Sequence, residues 1–306
     1  MSYKGSKVLV TGAAGFIGRY LVGRLLEAGA QVTAVDAIET EKALAVLTVP
    51  GGTARYLRLD VRDEAGVRQL LEGDAFDTVF HLAAIASPRA CVKDFALAYS
   101  VNVTGTFNML HHAGKAGRFV FLSSSAVYGP PAYLPMDEAH PRLGKDPYAS
   151  TKIMGEDLCR NYAENYGLRC SIVRNFNSFG PYQSPEYIVP GIITQGLRNG
   201  AIEIWNADPV RDLMYVENSV DAILEIGSHP ELGIYNVGSG RGVRIGDLAQ
   251  LVAAKIGREI PVRDLRKDVI GSPALIARVD RLRSLGWSER VSFELGIERT
   301  VESLRR

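Results

Sequence analysis

Cysteine is scarce in this 306-residue chain. Its three cysteines, Cys91, Cys159 and Cys170, are odd in number and lack CxxC spacing. This pattern argues against a disulfide framework and against a zinc site. We therefore predict no metal site and expect a reducing, cytoplasmic compartment.

Long apolar runs and an excess of one charge are also missing. All apolar runs end well before about 18 residues, so no transmembrane helix is expected. The N-terminus enters a strand by Val8 and shows no signal-peptide pattern. The net charge is +1, with both signs interspersed, which predicts neither a nucleic-acid partner nor a membrane-surface partner.

What is present is an alternation of strand and helix patterns through the first 175 residues. The predicted strands are 7–11, 31–36, 55–60, 78–82, 118–123 and 169–174. Two long helices are predicted near 95–114 and 148–166, with Gly114 and Gly167 at the positions of C-terminal caps. The alternation predicts an α/β fold built on a doubly wound parallel sheet of the Rossmann type.

Three glycines follow the first predicted strand with the spacing Gly-x-x-Gly-x-x-Gly. Gly12 would allow a tight turn, Gly15 would let a pyrophosphate approach the backbone, and Gly18 would let a helix pack closely. Because the first N–H groups of a helix have no partner within it, this turn predicts an anion site.

Asp36 ends the second predicted strand, eighteen residues after Gly18. A carboxylate at that position accepts hydrogen bonds from an adenosine ribose and repels a 2′-phosphate. The next cationic side chain is Lys42. We therefore predict NAD rather than NADP as the cofactor.

After about residue 176 the pattern breaks into short pieces at Gly-Pro, Ser-Pro and Asp-Pro steps, with a strand predicted at 234–237 and a helix at about 245–256. We predict an NAD-binding Rossmann domain over 1–176 and a smaller C-terminal α/β substrate-binding region over 177–306. Segments near 211–238 are expected to return to the Rossmann core.

Tyr148 and Lys152 are four residues apart, which places them on one face of a predicted helix. A nearby ammonium favours the phenolate form of tyrosine, so this tyrosine could take a proton from a substrate hydroxyl. Tyr3 and Lys7 have the same spacing, but they precede the first strand and are predicted to lie on the surface. Three serines, Ser123, Ser124 and Ser125, end a predicted buried strand at the edge where a cofactor would lie.

These motifs resemble the extended short-chain dehydrogenase/reductase family, in its NAD-dependent nucleotide-sugar epimerase/dehydratase branch. The matching blocks cover nearly the whole chain: 11–18, 36, 60–61, 81–84, 102–106, 123–129, 148–152, 174–181, 211–212 and 285–287.

The resemblance implies a role for individual residues. Tyr148 would be the base, Lys152 would contact the nicotinamide ribose, and Ser124 would be the third catalytic residue. The implied cofactor contacts are Gly12, Gly15, Phe16, Ile17, Gly18, Asp36, Asp60, Val61, Leu82, Ala83, Ala84, Asn102, Ser123, Tyr148 and Lys152. The implied substrate contacts are Ser125, Asn177, Arg211, Cys91 and Arg278. Relatives pair two long helices with those of a second copy, so a homodimer is expected.

The resemblance leaves the reaction open between epimerisation and elimination. In familiar 4,6-dehydratases an Asp-Glu pair stands before Val-Tyr-Gly, where this chain has Ser125 and Ala126. Because neither is an efficient acid or base, 4-epimerisation of a nucleotide-activated hexose or hexosamine, preferably a UDP-sugar, is favoured. An atypical dehydratase, for example one performing 5,6-elimination on a UDP-hexosamine with Cys91 exchanging protons, stays an alternative. So do a net NAD(P)-dependent reductase and a non-catalytic cofactor sensor.

Overall fold

The computed structural model describes residues 3–49, 52–257, 259–267 and 273–305. The strands are β1 (Lys7–Thr11), β2 (Gln31–Asp36), β3 (Thr48–Val49), β4 (Gly52–Thr53), β5 (Arg55–Arg58), β6 (Thr78–His81), β7 (Phe119–Ser124), β8 (Cys170–Asn175), β9 (Asn177–Phe179), β10 (Ile202–Ile204), β11 (Val210–Tyr215), β12 (Ile234–Val237), β13 (Gly242–Arg244), β14 (Val262–Asp264) and β15 (Ala274–Leu275). The α-helices are α1 (Phe16–Glu27), α2 (Thr40–Leu47), α3 (Glu64–Gly73), α4 (Pro88–Lys93), α5 (Phe95–Tyr99), α6 (Gly105–His112), α7 (Pro147–Tyr166), α8 (Ile188–Asn199), α9 (Val216–Ser228), α10 (Ile245–Ile256), α11 (Asp280–Ser284) and α12 (Phe293–Arg305).

A seven-stranded sheet has the order β12-β8-β7-β6-β1-β2-β5. The pairs that β1 forms with β2 and β6 are parallel, as are the pairs β2–β5 and β6–β7. The chain runs outward from β1 to β2 and β5, then returns to β6 on the other side of β1. This reversal confirms the predicted doubly wound sheet and brings the ends of β1 and β6 together at the position where such sheets bind ligands.

The central strands of the sheet are buried and nearly continuous apolar runs, as expected for parallel strands covered on both faces. Val8, Leu9 and Val10 of β1 are all fully buried. A core cluster joins this sheet to α3, α6 and α7, with Phe119 and Phe121 of β7 among its members. The strands that carry the expected site residues therefore rest on a packed core.

The described chain divides into two compact units. One unit lies within residues 1–129, 142–174 and 220–235, and the other within 130–141, 175–219 and 236–306. The predicted boundary at residue 176 and the predicted return of segments near 211–238 stay predictions.

The second unit is organised around β11. This strand pairs in parallel with β9 and β15 and antiparallel with β13. Strands β10 and β14 form a separate parallel pair. Within the described residues, no helix is both long enough and apolar enough to cross a membrane.

Four strands differ from their predicted bounds by one or two residues, and two larger details differ as well. The helix predicted over 95–114 is broken into α5, a π-helical turn at Ser100–Thr104, α6 and a 3₁₀ turn at Ala113–Lys115, so Gly114 lies inside the 3₁₀ turn instead of capping a long helix. Gly167 does cap α7 in the left-handed conformation. Tyr3 is not on the surface, because its side chain is buried and its hydroxyl donates to the Leu224 carbonyl.

Candidate active site

The turn after β1 is fixed by close backbone approaches. Gly12 has φ +66°, and a Cβ atom there would lie 2.8 Å from the nitrogen of Ala83, just beyond β6. A Cβ at Gly18 would overlap the carbonyl oxygen of Gly12. Only glycine fits both positions, and Gly18 serves the turn itself as well as the packing of α1.

Helix α1 starts at this turn with Gly15 as its N-cap. Its first residues are Phe16 and Ile17, both half-buried, and its first turn holds no acidic side chain. The Asp36 carboxylate accepts the N–H of Ala14 at 3.0 Å, so it lies against the same turn. A helix start without a side-chain cap and with one carboxylate beside it fits a pyrophosphate and a ribose, as NAD requires.

A buried chain of hydrogen bonds starts at the same turn. The Ala83 N–H donates to the Thr11 hydroxyl at 3.3 Å, and the Thr11 Oγ1 is 2.7 Å from His81 Nδ1. His81 Nε2 is 3.0 Å from the Thr106 hydroxyl, which itself donates to the Asn102 carbonyl at 2.6 Å. Since that hydroxyl directs its proton to Asn102, Nε2 carries the ring proton and Nδ1 accepts from Thr11. Burial, with a smaller contribution from the nearby Lys152, lowers the pKa of His81 to about 3, so the ring is neutral near pH 7.

The chain continues from Asn102 into α7. The Asn102 side chain exchanges two hydrogen bonds with the backbone of Ile85, and its amide also donates to the Thr151 hydroxyl at 3.0 Å. Thr151 in turn donates to the carbonyl of Tyr148 at 2.8 Å. We call Thr11, His81, Thr106, Asn102 and Thr151 the Thr11–Thr151 chain; it connects the glycine turn to the helix that carries Tyr148.

Helix α7 places the two side chains predicted to be catalytic in a buried setting. Asp146 caps its N-terminus by accepting the Ala149 N–H at 3.0 Å, and Pro147 is its first residue. Tyr148 is 9% exposed and Lys152 is 4% exposed. The Lys152 ammonium donates to the Leu122 carbonyl at 2.8 Å and lies 6.0 Å from the centre of the Tyr148 ring.

Burial destabilises the charged form of Lys152. Burial lowers the pKa of Lys152 to about 8, although the neighbouring Cys159, Cys91 and Glu156 oppose that shift. An ammonium held in a buried site interacts strongly with any negative charge that forms beside it. It is therefore suited to stabilise a phenolate at Tyr148.

The three serines at the end of β7 have different surroundings. The Ser123 hydroxyl donates to the buried Glu156 carboxylate at 2.7 Å. Ser124 is half-buried, and its hydroxyl accepts the Ala126 N–H at 3.2 Å at the start of the 3₁₀ turn Ser125–Tyr128. Ser125 is 8% exposed.

Sequence reasoning missed the role of Glu156 and Arg174. Glu156 lies one helical turn after Lys152, is fully buried, and forms a bidentate ion pair with Arg174 of β8 at 2.8 and 2.9 Å. Arg174 also donates to the Tyr128 hydroxyl at 3.1 Å. Burial alone would lower the pKa of Arg174, but its bonds to Glu156 outweigh this effect and the net shift is upward. A Glu four residues after the catalytic-type lysine is the sequence signal that was available.

Several residues predicted to bind the cofactor lie near the turn, and others have partners of their own. Leu82 and Ala84 are half-buried after β6. Asp60 accepts a bidentate pair from Arg62, and these hydrogen bonds hold the pKa of Asp60 below its usual value. Val61 is buried in the core and its carbonyl accepts the Asn108 amide.

Cys91 is fully buried and packs in one cluster with Ala98 and Tyr148. Its thiol donates to the Ile85 carbonyl at 3.4 Å, and burial raises the pKa of the thiol. A buried, protonated thiol whose proton is already hydrogen-bonded is a poor base.

The second unit holds the other predicted substrate contacts. The Asn177 amide donates to the Asp212 carbonyl at 3.1 Å. Arg211 is half-buried, burial lowers its pKa, and within the described part of the chain its guanidinium contacts the Val210 carbonyl and no carboxylate. The Arg278 guanidinium is exposed and lies 3.6 Å from Asp137. A half-buried arginine without a counter-charge is suited to an anionic ligand.

Comparison with known proteins identifies one family, and the relatives that match include both epimerases and a dehydratase. Residues 8–238 match the NAD dependent epimerase/dehydratase family. A UDP-glucose 4-epimerase of Mycolicibacterium smegmatis is 33% identical over 98% of this chain and 98% of its own length. The UDP-glucose 4-epimerase of Thermotoga maritima, solved with UDP-glucose, is 28% identical with a TM-score of 0.88, covering 98% of both chains. That of Thermus thermophilus, solved with NAD, is 30% identical with a TM-score of 0.85, covering 98% of this chain and 99% of its own.

Proposed function

Because the chain belongs to the NAD dependent epimerase/dehydratase family, we propose that it catalyses redox-neutral 4-epimerisation of a nucleotide-activated hexose or hexosamine, with a UDP-sugar preferred. The observation that carries the proposal is the buried pair on α7, Tyr148 and Lys152, in the same unit as the glycine turn. Relatives described as UDP-glucose 4-epimerases support the choice of substrate.

NAD would be held by the glycine turn, the start of α1 and the Asp36 carboxylate, since these groups suit a pyrophosphate and a ribose without a 2′-phosphate. When bound, NAD supplies the acceptor and later the donor for the hydride at C4 of the sugar. The remaining predicted cofactor contacts, including Asp60 and Ser123, stay proposals in this scheme.

Tyr148 would remove the proton from the C4 hydroxyl and later return one to the C4 oxygen. Lys152 would stabilise the phenolate through its ammonium, and Ser124 would donate a hydrogen bond to the same oxygen. Asn177, Arg211 and Arg278 would bind the sugar nucleotide, with Arg211 on its phosphates, and Ser125 would contact the sugar.

Epimerisation is preferred to dehydration because elimination needs a further acid and base. Ser125 and Ala126 occupy the positions where the familiar 4,6-dehydratases carry acids. Cys91, the alternative base, has its thiol proton bonded to a backbone carbonyl and its pKa raised by burial. These features favour a reaction in which the C6 hydroxyl is kept.

The reaction is tested by incubating the protein with UDP-glucose, UDP-GlcNAc and their C4 epimers in heavy water. We expect a product of unchanged mass with inverted C4, no deuterium on carbon and no net change in NADH absorbance. A product that has lost the mass of one water would establish the dehydratase instead, and stoichiometric consumption of NAD(P)H would establish a reductase.

The base is tested with Tyr148→Phe. Turnover should fall by about 10²- to 10⁴-fold, as for loss of a general acid–base group, while NAD binding measured by calorimetry is kept. Tyr166→Phe, on the same helix with a side chain that is 72% exposed, is the matched control and should keep full turnover. Turnover near the wild-type level in Tyr148→Phe would refute its role.

We also propose a homodimer. Phe107 of α6 and Met154 of α7 are large apolar side chains that are 40% and 39% exposed. Phe107→Asp combined with Met154→Lys should convert a dimer to a monomer in analytical ultracentrifugation, whereas Trp205→Ser, which alters an exposed aromatic residue elsewhere, should not. A wild-type monomer would contradict the proposal.

A cytoplasmic location is proposed because Cys91, Cys159 and Cys170 are all free and buried. Thiols that form no disulfide suit a reducing compartment. Cell fractionation followed by immunoblotting tests this, and recovery outside the cytoplasmic fraction would contradict it.

A further inference from the structure

A buried carboxylate, that of Asp212, collects hydrogen bonds from separate segments of the second unit. Its Oδ1 accepts the backbone N–H and the hydroxyl of Ser239, both at 2.7 Å. Its Oδ2 accepts the N–H of Gly240 at 3.0 Å and that of Ala277 at 3.1 Å. Asp212 itself lies on the central strand β11 and is fully buried.

The backbone around the Asp212 carboxylate is packed too closely to admit a side chain at Gly238. A Cβ atom at Gly238 would lie 2.9 Å from Asp212 Oδ2, so the loop after β12 must pass the carboxylate without a side chain. Burial raises the pKa of Asp212, while the bonds from Ser239, Ala277 and Gly240 limit the rise. Such a group is costly to bury and is retained only where its four donors are held in place.

Each of the three substrate contacts proposed for this unit is tied to Asp212. Asn177 donates its side-chain amide to the Asp212 carbonyl oxygen at 3.1 Å. Arg211 is its neighbour in β11, and Arg278 follows Ala277, whose N–H the carboxylate accepts. The Arg278 N–H also donates to the Met136 carbonyl at 2.7 Å, so the backbone N–H groups of both Ala277 and Arg278 are anchored.

We propose that Asp212 is a positioning residue for phosphate recognition, which fixes the backbone from which Asn177, Arg211 and Arg278 reach the sugar nucleotide. The proposal rests on the proposed function, because it assumes that these three residues bind a nucleoside diphosphate. Asp212 does not itself touch the substrate in this scheme; it acts through the strand, the loop and the peptide that its two oxygens hold together.

Replacement of Asp212 by Asn tests the role with little change of shape. Whichever way the amide turns, an NH₂ group replaces one oxygen and faces donors that can no longer be satisfied, either Ser239 or the N–H groups of Gly240 and Ala277. The loop at Ser239 and the peptide at Ala277 should then move away from β11. This would displace the arginines more than the residues that bind the nucleoside. Ser239→Ala removes one of the four donors to the carboxylate, together with the acceptor of the Arg241 N–H, and should give a smaller effect in the same direction.

The experiment measures dissociation constants of UDP, uridine and NAD for the full-length protein by calorimetry or ligand-observed NMR, for the wild type and for Asp212→Asn, Ser239→Ala and Asp247→Asn. Asp247 is an exposed carboxylate in the same unit and serves as the charge-matched control. For Asp212→Asn we expect UDP binding to weaken about tenfold or more, corresponding to loss of charge-assisted phosphate contacts. Uridine and NAD should change by less than about threefold, since they lack contacts through these arginines.

The possible outcomes separate a failure of the positioning role of Asp212 from a failure of the proposed function. Equal weakening of UDP and uridine would overturn the positioning role, because it would indicate general damage to the unit, and unchanged UDP binding would overturn it as well. If Asp212→Asn does not fold, Ser239→Ala carries the test: a selective loss of UDP affinity supports the role, and no selective loss refutes it. A wild-type protein that binds NAD but not UDP would overturn the proposed function itself and the inference with it.

Discussion

The two units each bury a carboxylate, and they satisfy it in different ways. In the first unit Glu156 is neutralised by cations: Arg174 forms two hydrogen bonds to it, the Arg142 guanidinium lies 3.6 Å away, and Ser123 adds a third hydrogen bond. In the second, Asp212 is held by uncharged donors, namely one hydroxyl and three backbone N–H groups. The first arrangement joins a helix to two strands through side chains, and the second joins a strand to loops mainly through the backbone.

The difference has a physical consequence. Removing the charge of Glu156 leaves a buried guanidinium without its counter-ion, whereas removing that of Asp212 leaves only neutral groups unsatisfied. We therefore expect the first unit to lose more stability on such a change than the second, in which the alignment of the ligand contacts should also suffer. Four measurements test this contrast.

The largest effect is expected for Glu156→Gln. An uncompensated buried Arg174 should lower the free energy of unfolding by about 3–5 kcal/mol, as is typical when one member of a buried ion pair is removed. Urea denaturation followed by circular dichroism measures the change. Glu164→Gln, at an exposed position of the same helix, is the control and should cost less than about 1 kcal/mol. Similar decreases in the free energy of unfolding for the two variants would mean that the buried ion pair contributes no more to stability than an exposed carboxylate does.

Asp212→Asn should cost less than Glu156→Gln, about 2–3 kcal/mol, because buried neutral donors lose their acceptor. The same urea titration provides the comparison. A cost above that of Glu156→Gln would reverse the contrast between the two carboxylates. A change in the slope of the denaturant dependence would instead indicate a less compact native state.

The lowered pKa of His81, in the first unit, predicts that the free energy of unfolding depends on pH. Its pKa falls from an ordinary value of 6.5 to about 3 on folding, so between these two pH values the unfolded chain binds a proton that the native protein does not. Stability is therefore lost as the pH falls through this window, by about 2 kcal/mol at pH 5 relative to pH 7. His81→Gln should remove this part of the difference between denaturation curves at the two pH values. His229→Gln is the control, and an unchanged pH dependence in His81→Gln would contradict the neutral ring.

The smallest effect is expected for Asp60→Asn. Asp60 and Arg62 form a bidentate but solvent-exposed pair, with side chains 34% and 43% exposed. Such pairs contribute about 0–1 kcal/mol because water screens them. Thermal denaturation should show a shift near zero, which sets the reference against which the buried carboxylates are judged. A cost comparable with that of Asp212→Asn would show that exposure does not separate these groups.

Local patterns in the sequence predicted the parts of the molecule that depend on short-range chemistry. The apolar runs of β1 and β2 and the strand Ile234–Val237 coincide with their predicted bounds, since apolar runs of this length are typical of parallel strands buried on both faces. The cap at Gly167 was predictable for a similar reason, since only glycine takes the left-handed conformation at no cost.

Features that depend on distant partners could not be predicted in this way. Glu156 and Arg174 are eighteen residues apart and meet only because α7 packs beside β8. Asp212 finds its donors 27, 28 and 65 residues away. The burial of Tyr3 likewise depends on the Leu224 carbonyl, 221 residues later. Periodicity reports which face of an element is buried, but not which polar group lies there.

The π-helical turn Ser100–Thr104 changes the phase of the polypeptide that follows it. An inserted residue rotates everything downstream by about 100° around the helix axis, since an α-helix has about 3.6 residues per turn. Phe107 therefore faces outward, and His111 faces Tyr162, where an uninterrupted helix would place residues next to them in the sequence. Deleting a single amino acid from this stretch would realign the outer surface of α6, while withdrawing Asn102 from Ile85. The extra residue of the π-helical turn thus determines both the hydrogen bonds of Asn102 in the interior and the side chains that α6 presents on its outer face.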